Sequence, residues 1–466
     1  MSVRETFASR LGMVATMIGV AVGLGNVWRF PYMVGRYGGA AFVALYLLFA
    51  LLIGIPALMA EWSLGRHTRT GTVGAFAKAG LPGGRWIGWL FFLGVSAAVA
   101  YYSSAIGWVL FHGLAELLGA FGSLGPGSGA GMEGRLLDGG AVLPPDTGFR
   151  LSSFLLQILC TGAVILGAVA VLLRGLRSGI ERVSRLVTPL LFAGLLVIIV
   201  RSLTLPGAGE GLRWYILRFD PGDLTGGVAL AALGQVVFSV ALGGTFMVTY
   251  GSYLNAEDRL GRNAIWTVAG DTGAGILAGL AIFPAVFAMG LEPGSGPGLI
   301  FETLPRVFAQ IPGGWIFGTL FFLSLGAAAY LSAVAAFEVL IAGLTDNTSL
   351  SRRRATWAVA GLVFLLALPP MINMRIFVPW DLTFGSGFQT LGALVAVVAV
   401  GWSLKRGAVL RELATGAAGA DGDAASMVSR STLLLYYWIR YVIPAAIVAV
   451  GVWWLLTEVL GVVGAL

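Results

Sequence analysis

Long apolar stretches follow one another along the chain and are separated by short polar segments. A helix needs about 20 apolar residues to cross a hydrocarbon core about 30 Å thick, and the stretches are close to that length. The alternation of apolar and polar residues over about ten positions that marks membrane β-strands is not found. The pattern predicts an all-α integral membrane protein with about eleven transmembrane helices, approximately at residues 11–36, 39–65, 86–118, 152–173, 180–203, 227–254, 262–290, 313–343, 354–370, 376–404 and 433–462.

Two of these helices, the first and the sixth, are interrupted in the middle. The first contains VGLGNVWRFP at residues 22–31, and the sixth contains GQVVFSVALGG at residues 234–244. Glycines in membrane helices often serve close packing alone, but Asn26 and Arg29 in the same helix need polar partners. Paired interruptions five helices apart indicate a transporter built as a five-plus-five inverted repeat with broken helices 1 and 6.

An unwound segment inside a membrane frees backbone groups that lipid cannot satisfy, so it must face protein, water or a ligand. Freed carbonyl oxygens suit a hard cation, and the amides at a helix N-terminus suit a carboxylate. One broken helix is therefore able to bind both a sodium ion and the carboxylate of an amino acid.

Composition restricts the class of protein further. Hydrophobic residues make up 58% and charged residues 11% of the 466 residues, and the mean hydropathy is +0.89, which excludes a soluble domain. The single Cys160 excludes an intramolecular disulfide, and His67 and His112 are too few and too separated for a zinc site. We expect no enzyme, because no nucleophile with a base and no metal cluster is found.

The formal net charge of +7 reflects membrane topology more than a nucleic-acid partner. The basic residues concentrate in alternate loops, as the positive-inside rule requires, so we expect a multi-pass protein of the cell membrane with a cytoplasmic N-terminus. These basic segments are Arg66 to Arg85, Arg174 to Arg185, Arg259 with Arg262, Arg352 to Arg354, and Lys405 to Arg411.

The same pattern predicts the domain organisation. Residues 1–404 form the transporter core, with repeats at 1–203 and 227–404, and 433–466 form the eleventh helix. Two loop predictions accompany it: a polar cytoplasmic linker at 405–432 and a short helix in an external loop at 298–311.

The segments GLGNVWRFPYMVGRYGGAAF and GIPALMAEWSLGR resemble the neurotransmitter:sodium symporter family, in particular its bacterial, leucine-transporter-like amino-acid transporters. The resemblance extends from about Arg4 to about Gly401. It implies inward symport of an amino acid with sodium by alternating access. The alternative is a sodium-independent or channel-like permease for amino acids or other solutes, but paired broken helices with a gate on each side favour alternating access over a channel.

The resemblance also implies two sodium sites. The first comprises the Ala21 carbonyl, the amide oxygen of Asn26, Ser239 and Asp271, and the second the carbonyls of Gly19, Val22 and Ala328 with the Ser332 hydroxyl. Asp271 either binds the first ion directly or lies one turn away. At the second site, Leu331 stands where the family usually has threonine, so the chain uses one or two sodium ions.

For the substrate, the resemblance implies that the amides of Leu24 and Gly25 and the hydroxyl of Tyr102 receive its carboxylate, with Phe238 as an aromatic lid. The remaining substrate-binding positions are Ala21, Gly23, Ser239, Ala241, Gly244, Ser332 and Ala336. Small or apolar residues at Val20, Ala241, Gly244 and Ala336 predict a large apolar or aromatic amino acid such as leucine, phenylalanine or tryptophan. The alternative is a pocket that has repacked around a small substrate.

The resemblance further implies two charged gates. Arg29 pairs with Asp381 on the outside, with Gln235 beside the gate, and Arg4 pairs with Asp346 on the inside, with Tyr253 nearby.

The two other buried acids, Glu61 and Asp271, are expected to supply the negative charge that chloride supplies in chloride-dependent relatives. We therefore expect chloride independence, with Glu61 sharing a proton or hydrogen bonds with the Asp271 region.

Overall fold

The computed structural model describes residues 5–122, 142–293, 300–301, 304–310, 312–414 and 429–461. Within these residues the secondary structure is helical, as the sequence predicts. By length and composition, nine continuous helices are able to cross a membrane, and a tenth crossing is made by a helix pair bent by 54°. We number these ten, together with the pair of short helices in the middle of the chain, as spans 1 to 11 in chain order. Span 1 is Arg10–Ala21 with Gly25–Tyr37; spans 2 to 5 are Gly39–Thr68, Gly84–Leu118, Leu151–Leu172 and Leu176–Leu203; span 6 is Gly226–Ser239 with Phe246–Gly251; spans 7 to 11 are Leu260–Ala288, Gly314–Asn347, Arg352–Met371, Met374–Ser403 and Arg430–Val459.

The break in span 1 lies at residues 22–24. Its first half ends at Val22, which has an extended backbone (φ −73°, ψ 114°), and the second half begins at Gly25. Gly23 is required here by close approach: a Cβ atom would lie 2.6 Å from Oη of Tyr102 and 2.7 Å from Oγ of Ser332. The predicted interruption in helix 1 is therefore present, at the predicted residues.

The break in span 6 lies between Ser239 and Phe246. Ala241 has φ +53°, a backbone conformation that is unfavourable for a residue with a side chain, and Gly244 has φ +66°. Neither half of span 6 is long enough to cross a membrane alone, so the crossing exists only if both halves share it.

The two broken spans lie in the middle of the bundle. The first half of span 1 packs on spans 5, 7 and 8, and the first half of span 6 packs on spans 2, 10 and 11. Spans 3 and 8 pack extensively against each other. Large side chains such as Trp62, Tyr46 and Phe283 are fully buried in this core. The unwound segments are thus enclosed by protein, which is the environment that freed backbone groups need.

Two connecting segments contain helices. In the segment 298–311, where the sequence predicts a short external helix, the described residues 300–301 and Leu304–Gln310 are helical. The polar linker predicted from residue 405 begins instead with a helix, Arg406–Ala414, and Glu412 on this helix pairs with the buried Arg66 of span 2 at 2.5 Å. Most of the Gly/Pro-rich loop between spans 3 and 4, residues 123–141, lies outside the described residues.

Candidate functional site

A cavity of about 110 Å³, several times the space that one water molecule needs, lies between the two breaks. Its walls come from spans 1, 3, 6, 8 and 10 and are mostly apolar. The predicted residues that line it are Val20, Ala21, Gly23, Gly25, Tyr102, Phe238, Ser239, Ala241, Ser332 and Ala336. Gly244, which the sequence analysis placed in the pocket, is not in the lining; its amide donates to Glu61.

Gly25, at the start of the second half of span 1, and Tyr102 line this cavity, whereas Leu24 is not in the lining. The second half of span 1 starts there, and the Leu24 amide donates to Oη of Tyr102 over 3.2 Å. The amides of a helix N-terminus carry partial positive charge and favour an anion. The structure therefore brings Leu24, Gly25 and Tyr102 together as the sequence analysis expected.

A polar group that we call the Asp271 cluster (Asn26, Tyr46, Ser239 and Asp271) lies beside the break in span 1. Nδ2 of Asn26 lies 2.6 Å from Oδ1 of Asp271, and Oγ of Ser239 lies 2.8 Å from Oδ2. The Tyr46 hydroxyl approaches Oδ2 at 3.4 Å. All four side chains are at most 2% exposed. Asp271 therefore lies directly among the residues predicted for the first sodium site, which resolves its register.

The orientation of Asn26 differs from the sequence prediction. Its amide oxygen accepts from the Gly23 amide at 3.0 Å, while its NH₂ group points at Ser239 and Asp271. The NH₂ group takes this position because two acceptors, the carboxylate and the backbone carbonyl of Asp271, lie on that side. The partners of Asp271 found among the described residues are neutral, so its carboxylate has no cationic side chain within salt-bridge distance.

A second group, which we call the Ser332 cluster (Gly19, Val22, Ala328, Leu331 and Ser332), lies across span 1 from the first. Oγ of Ser332 lies 3.0 Å from the Val22 carbonyl and 3.4 Å from the Gly19 carbonyl. Leu331 is 4% exposed, and a Cβ atom at Gly19 would lie only 3.0 Å from its Cδ1. An isobutyl group therefore packs where the family pattern usually has a hydroxyl.

Glu61 occupies a position that differs from the sequence prediction. Its Oε1 accepts from the amides of Gly243 and Gly244 at 2.8 and 2.9 Å. These amides are freed by the break in span 6, and a buried carboxylate accepts from them strongly. Glu61 thus holds the span 6 break, and among the described residues it shares no hydrogen bond with Asp271.

The expected outer ion pair is not formed. Although Arg29 and Asp381 are both among the described residues, they make no salt bridge within 4.0 Å; the Arg29 guanidinium lies over the Phe238 ring, 4.2 Å from its centroid. A cation over an aromatic face is itself a stabilising contact, which gives Arg29 a partner inside the protein. Nε2 of Gln235 donates to the Gly25 carbonyl at 2.9 Å, so Gln235 supports the second half of span 1.

At the face where span 1 begins, which we call the N-terminal face, Arg4 lies outside the described residues, so the pair with Asp346 is not seen. Oδ2 of Asp346 accepts from the Gly71 amide at 2.8 Å. The Tyr253 hydroxyl donates to Glu338 at 2.7 Å, and Glu338 pairs with Arg352 at 2.6 Å. Sequence reasoning missed Glu338 and Arg352, although a buried acid six residues after Ser332 was a signal that could have found them.

Sequence reasoning also missed the walls that spans 3 and 10 contribute. Phe91, Val95, Val99, Phe384, Phe388 and Gln389 line the cavity. Nε2 of Gln389 lies 3.3 Å from the carbonyl oxygen of Phe238, which the break in span 6 exposes. No local motif marks these residues, because their role depends on how distant spans pack.

The sequence profile described as the Sodium:neurotransmitter symporter family matches residues 4–119 and 154–451. The chain is 32% identical over 457 residues to an uncharacterized sodium-dependent transporter, YhdH, of Bacillus subtilis, which covers 95% of this chain and 96% of that protein. It is 33% identical over 421 residues to an uncharacterized sodium-dependent transporter of Haemophilus influenzae, covering 86% and 90%.

A solved structure also matches this one. The crystal structure of MhsT in complex with L-phenylalanine has a TM-score of 0.81 and 34% sequence identity, and the match covers 97% of this chain and all of MhsT. The sequence matches and the structural match therefore both extend along nearly the whole chain.

Proposed function

The chain belongs to the sodium:neurotransmitter symporter family, and we propose that it carries a large apolar or aromatic amino acid into the cell together with sodium by alternating access. Family membership indicates sodium-dependent transport across a membrane, not catalysis. The observation that carries the proposal is Asp271, a fully buried carboxylate with neutral partners, next to the break in span 1. A buried charge without a counter-charge is unfavourable inside a membrane, and a sodium ion would supply that counter-charge.

The substrate class follows from the walls of the cavity. Apolar side chains from spans 1, 3 and 10, such as Val20, Val99 and Phe388, line it, and Ala241 and Ala336 leave room for a large side chain. A polar substrate side chain would leave its own groups unpaired there. The similarity to MhsT, whose structure contains L-phenylalanine, supports an aromatic amino acid. Leu24, Gly25 and Tyr102 would receive its carboxylate.

Alternating access needs gates at both faces. We propose that Arg29 moves from the Phe238 ring to Asp381 when the outside closes. At the opposite face, Asp346 would pair with Arg4 when the inside closes, and the linked Tyr253, Glu338 and Arg352 would help to hold that face closed. The basic loops support a cytoplasmic N-terminal face and a location in the cell membrane.

Uptake into proteoliposomes tests the proposal. With an inward sodium gradient we expect saturable uptake of radiolabelled phenylalanine, leucine or tryptophan, and little competition by alanine. With potassium in place of sodium, uptake should fall to background. Tyr102→Phe should lower uptake at least about tenfold, since it removes a hydrogen bond to a charged group. Equal uptake without sodium would favour the sodium-independent permease, and uptake that does not saturate would favour a channel.

A further inference from the structure

A stripe of buried polar side chains runs along one face of span 7, from the Asp271 cluster toward the N-terminal face. Asn263, Thr267 and Asp271 are spaced four residues apart, so they lie on the same side of the helix. Their exposed fractions are 2%, 0% and 0%, whereas Ile265 and Trp266 between them are more than half exposed. At 1.5 Å per residue, the stripe is about 12 Å long.

Two oxygen atoms of this stripe have no hydrogen-bond partner among the described residues: Oδ1 of Asn263 and Oγ1 of Thr267. The Thr68 and Thr345 hydroxyls donate to the carbonyl four residues earlier, whereas those of Thr16, Thr161 and Thr319 also lack a partner among the described residues. Nδ2 of Asn263 reaches only Sδ of Met13, a weak acceptor, at 3.7 Å. Unpaired buried oxygens are unfavourable inside a membrane, and they are the atoms that water or a hard cation would bind.

The first half of span 1 covers the stripe. Met13 contacts Asn263 near the N-terminal face, and Ile18 packs so closely on Gly270 that a Cβ atom there would lie 2.6 Å from its Cδ1. Beyond the break, Asn26 holds Asp271. A movement of Arg10–Ala21 about the break would therefore uncover Asn263 at one end and Gly270 at the other, and with them the segment of span 7 that contains Thr267, while the second half of span 1 stays at Asp271.

We propose that this stripe is the path by which the sodium ion leaves the Asp271 cluster for the cytoplasm. The inference rests on the proposed function and extends it to a release route. Thr267 and Asn263 offer one oxygen each at steps of about 6 Å, which water molecules bridge. Arg10, Arg259 and Arg262 at the mouth of the path are exposed, so solvent and salt screen their repulsion of the ion.

Cysteine labelling tests whether the path opens. Replacing the single Cys160 by alanine gives a background without thiols, in which Thr267→Cys is compared with Val268→Cys, a buried neighbour at the same depth. In inside-out vesicles with potassium, a membrane-impermeant thiosulfonate reagent should react with Thr267→Cys at least about tenfold faster than with the control, because labelling follows the population of the open form. Sodium should slow this reaction. Equal rates for the two variants would overturn the path.

A transport measurement provides the second test. Thr267→Val keeps the shape of the side chain and removes its oxygen, so the net uptake rate should fall about five- to thirtyfold, and Thr267→Ser should restore it. The sodium concentration that half-saturates substrate binding should stay the same, because the Asp271 cluster is intact. Unchanged uptake by Thr267→Val would overturn the path. Loss of sodium dependence in the unmodified protein would instead overturn the proposed function.

Discussion

The Asp271 cluster and the Ser332 cluster lie on either side of the same break in span 1 but offer a cation different environments. The first contains a buried carboxylate, with oxygen atoms of Ser239 and Tyr46 within 3.4 Å of it. The second contains one hydroxyl, three backbone carbonyls implied by the resemblance and the apolar side chain of Leu331. At 4 Å and an effective dielectric constant of 20, a carboxylate attracts a monovalent cation by about 4 kcal/mol.

Because one cluster contains a carboxylate and the other an apolar side chain, the break in the helix does not by itself make a cation site. The resemblance implies that both clusters use backbone carbonyls of span 1 near the break, so what distinguishes them is the side chains that neighbouring helices add. Span 7 adds a full negative charge to one cluster, whereas span 8 adds a hydrocarbon side chain to the other. We therefore expect sodium coupling to depend mainly on the Asp271 cluster, with one ion carried per substrate.

Removing the charge of Asp271 should weaken sodium binding more than any other change described below. Asp271→Asn keeps the size of the side chain, and we expect the sodium concentration for half-maximal substrate binding to rise about a hundredfold to a thousandfold. Sodium titration of substrate binding to the purified protein measures this. Thr356→Val, a change at a buried polar side chain of span 9 that donates to the Arg352 carbonyl, is the control and should leave the midpoint in place. If the sodium midpoint of Asp271→Asn lay within twofold of that of the unmodified protein, the carboxylate would not be what distinguishes the two clusters.

The two serine hydroxyls allow a direct test of the clusters against each other. Oγ of Ser239 donates to the Asp271 carboxylate, whereas Oγ of Ser332 donates to a neutral carbonyl. Hydrogen bonds to charged groups contribute about twice as much as neutral ones, so Ser239→Ala should raise the sodium midpoint about tenfold and Ser332→Ala only about threefold. The same titration distinguishes them, and a larger effect from Ser332→Ala would reverse the assignment.

The sequence predicts the part of this comparison that is local. Asn26 and Ser239 beside the breaks, and Leu331 and Ser332 on span 8, were identified because the resemblance is carried by local motifs, which fix the position of each residue within its own helix. The register of Asp271, the contact of Glu61 with the span 6 amides and the position of Arg29 over Phe238 were not predictable. Each depends on the rotation of one span against another, which a hydrophobic pattern specifies only to within about a turn.

Leu331→Thr should convert the weaker cluster toward a second sodium site. The unmodified protein is expected to show a Hill slope of about 1 for sodium in uptake, and the added hydroxyl should raise it toward 2, since the slope is bounded by the number of coupled sites. Leu331→Val is the control, because valine matches threonine in size and lacks the oxygen. A Hill slope of about 2 in the unmodified protein would show that the Ser332 cluster already binds an ion.

Replacing chloride by gluconate should leave the uptake rate unchanged, which is the smallest of the expected effects. A chloride ion would serve to balance the sodium charge, but the Asp271 carboxylate lies directly in the cluster, and Glu61 adds a second buried carboxylate at the span 6 break. A further anion there would be repelled by both carboxylates if they are ionised. Initial uptake rates at equal sodium should therefore be the same in chloride and in gluconate.

In Asp271→Asn, by contrast, chloride should increase the residual uptake, because only that variant lacks the charge that the anion would replace. Uptake by the unmodified protein that stops in gluconate would show that the carboxylate does not balance the ion.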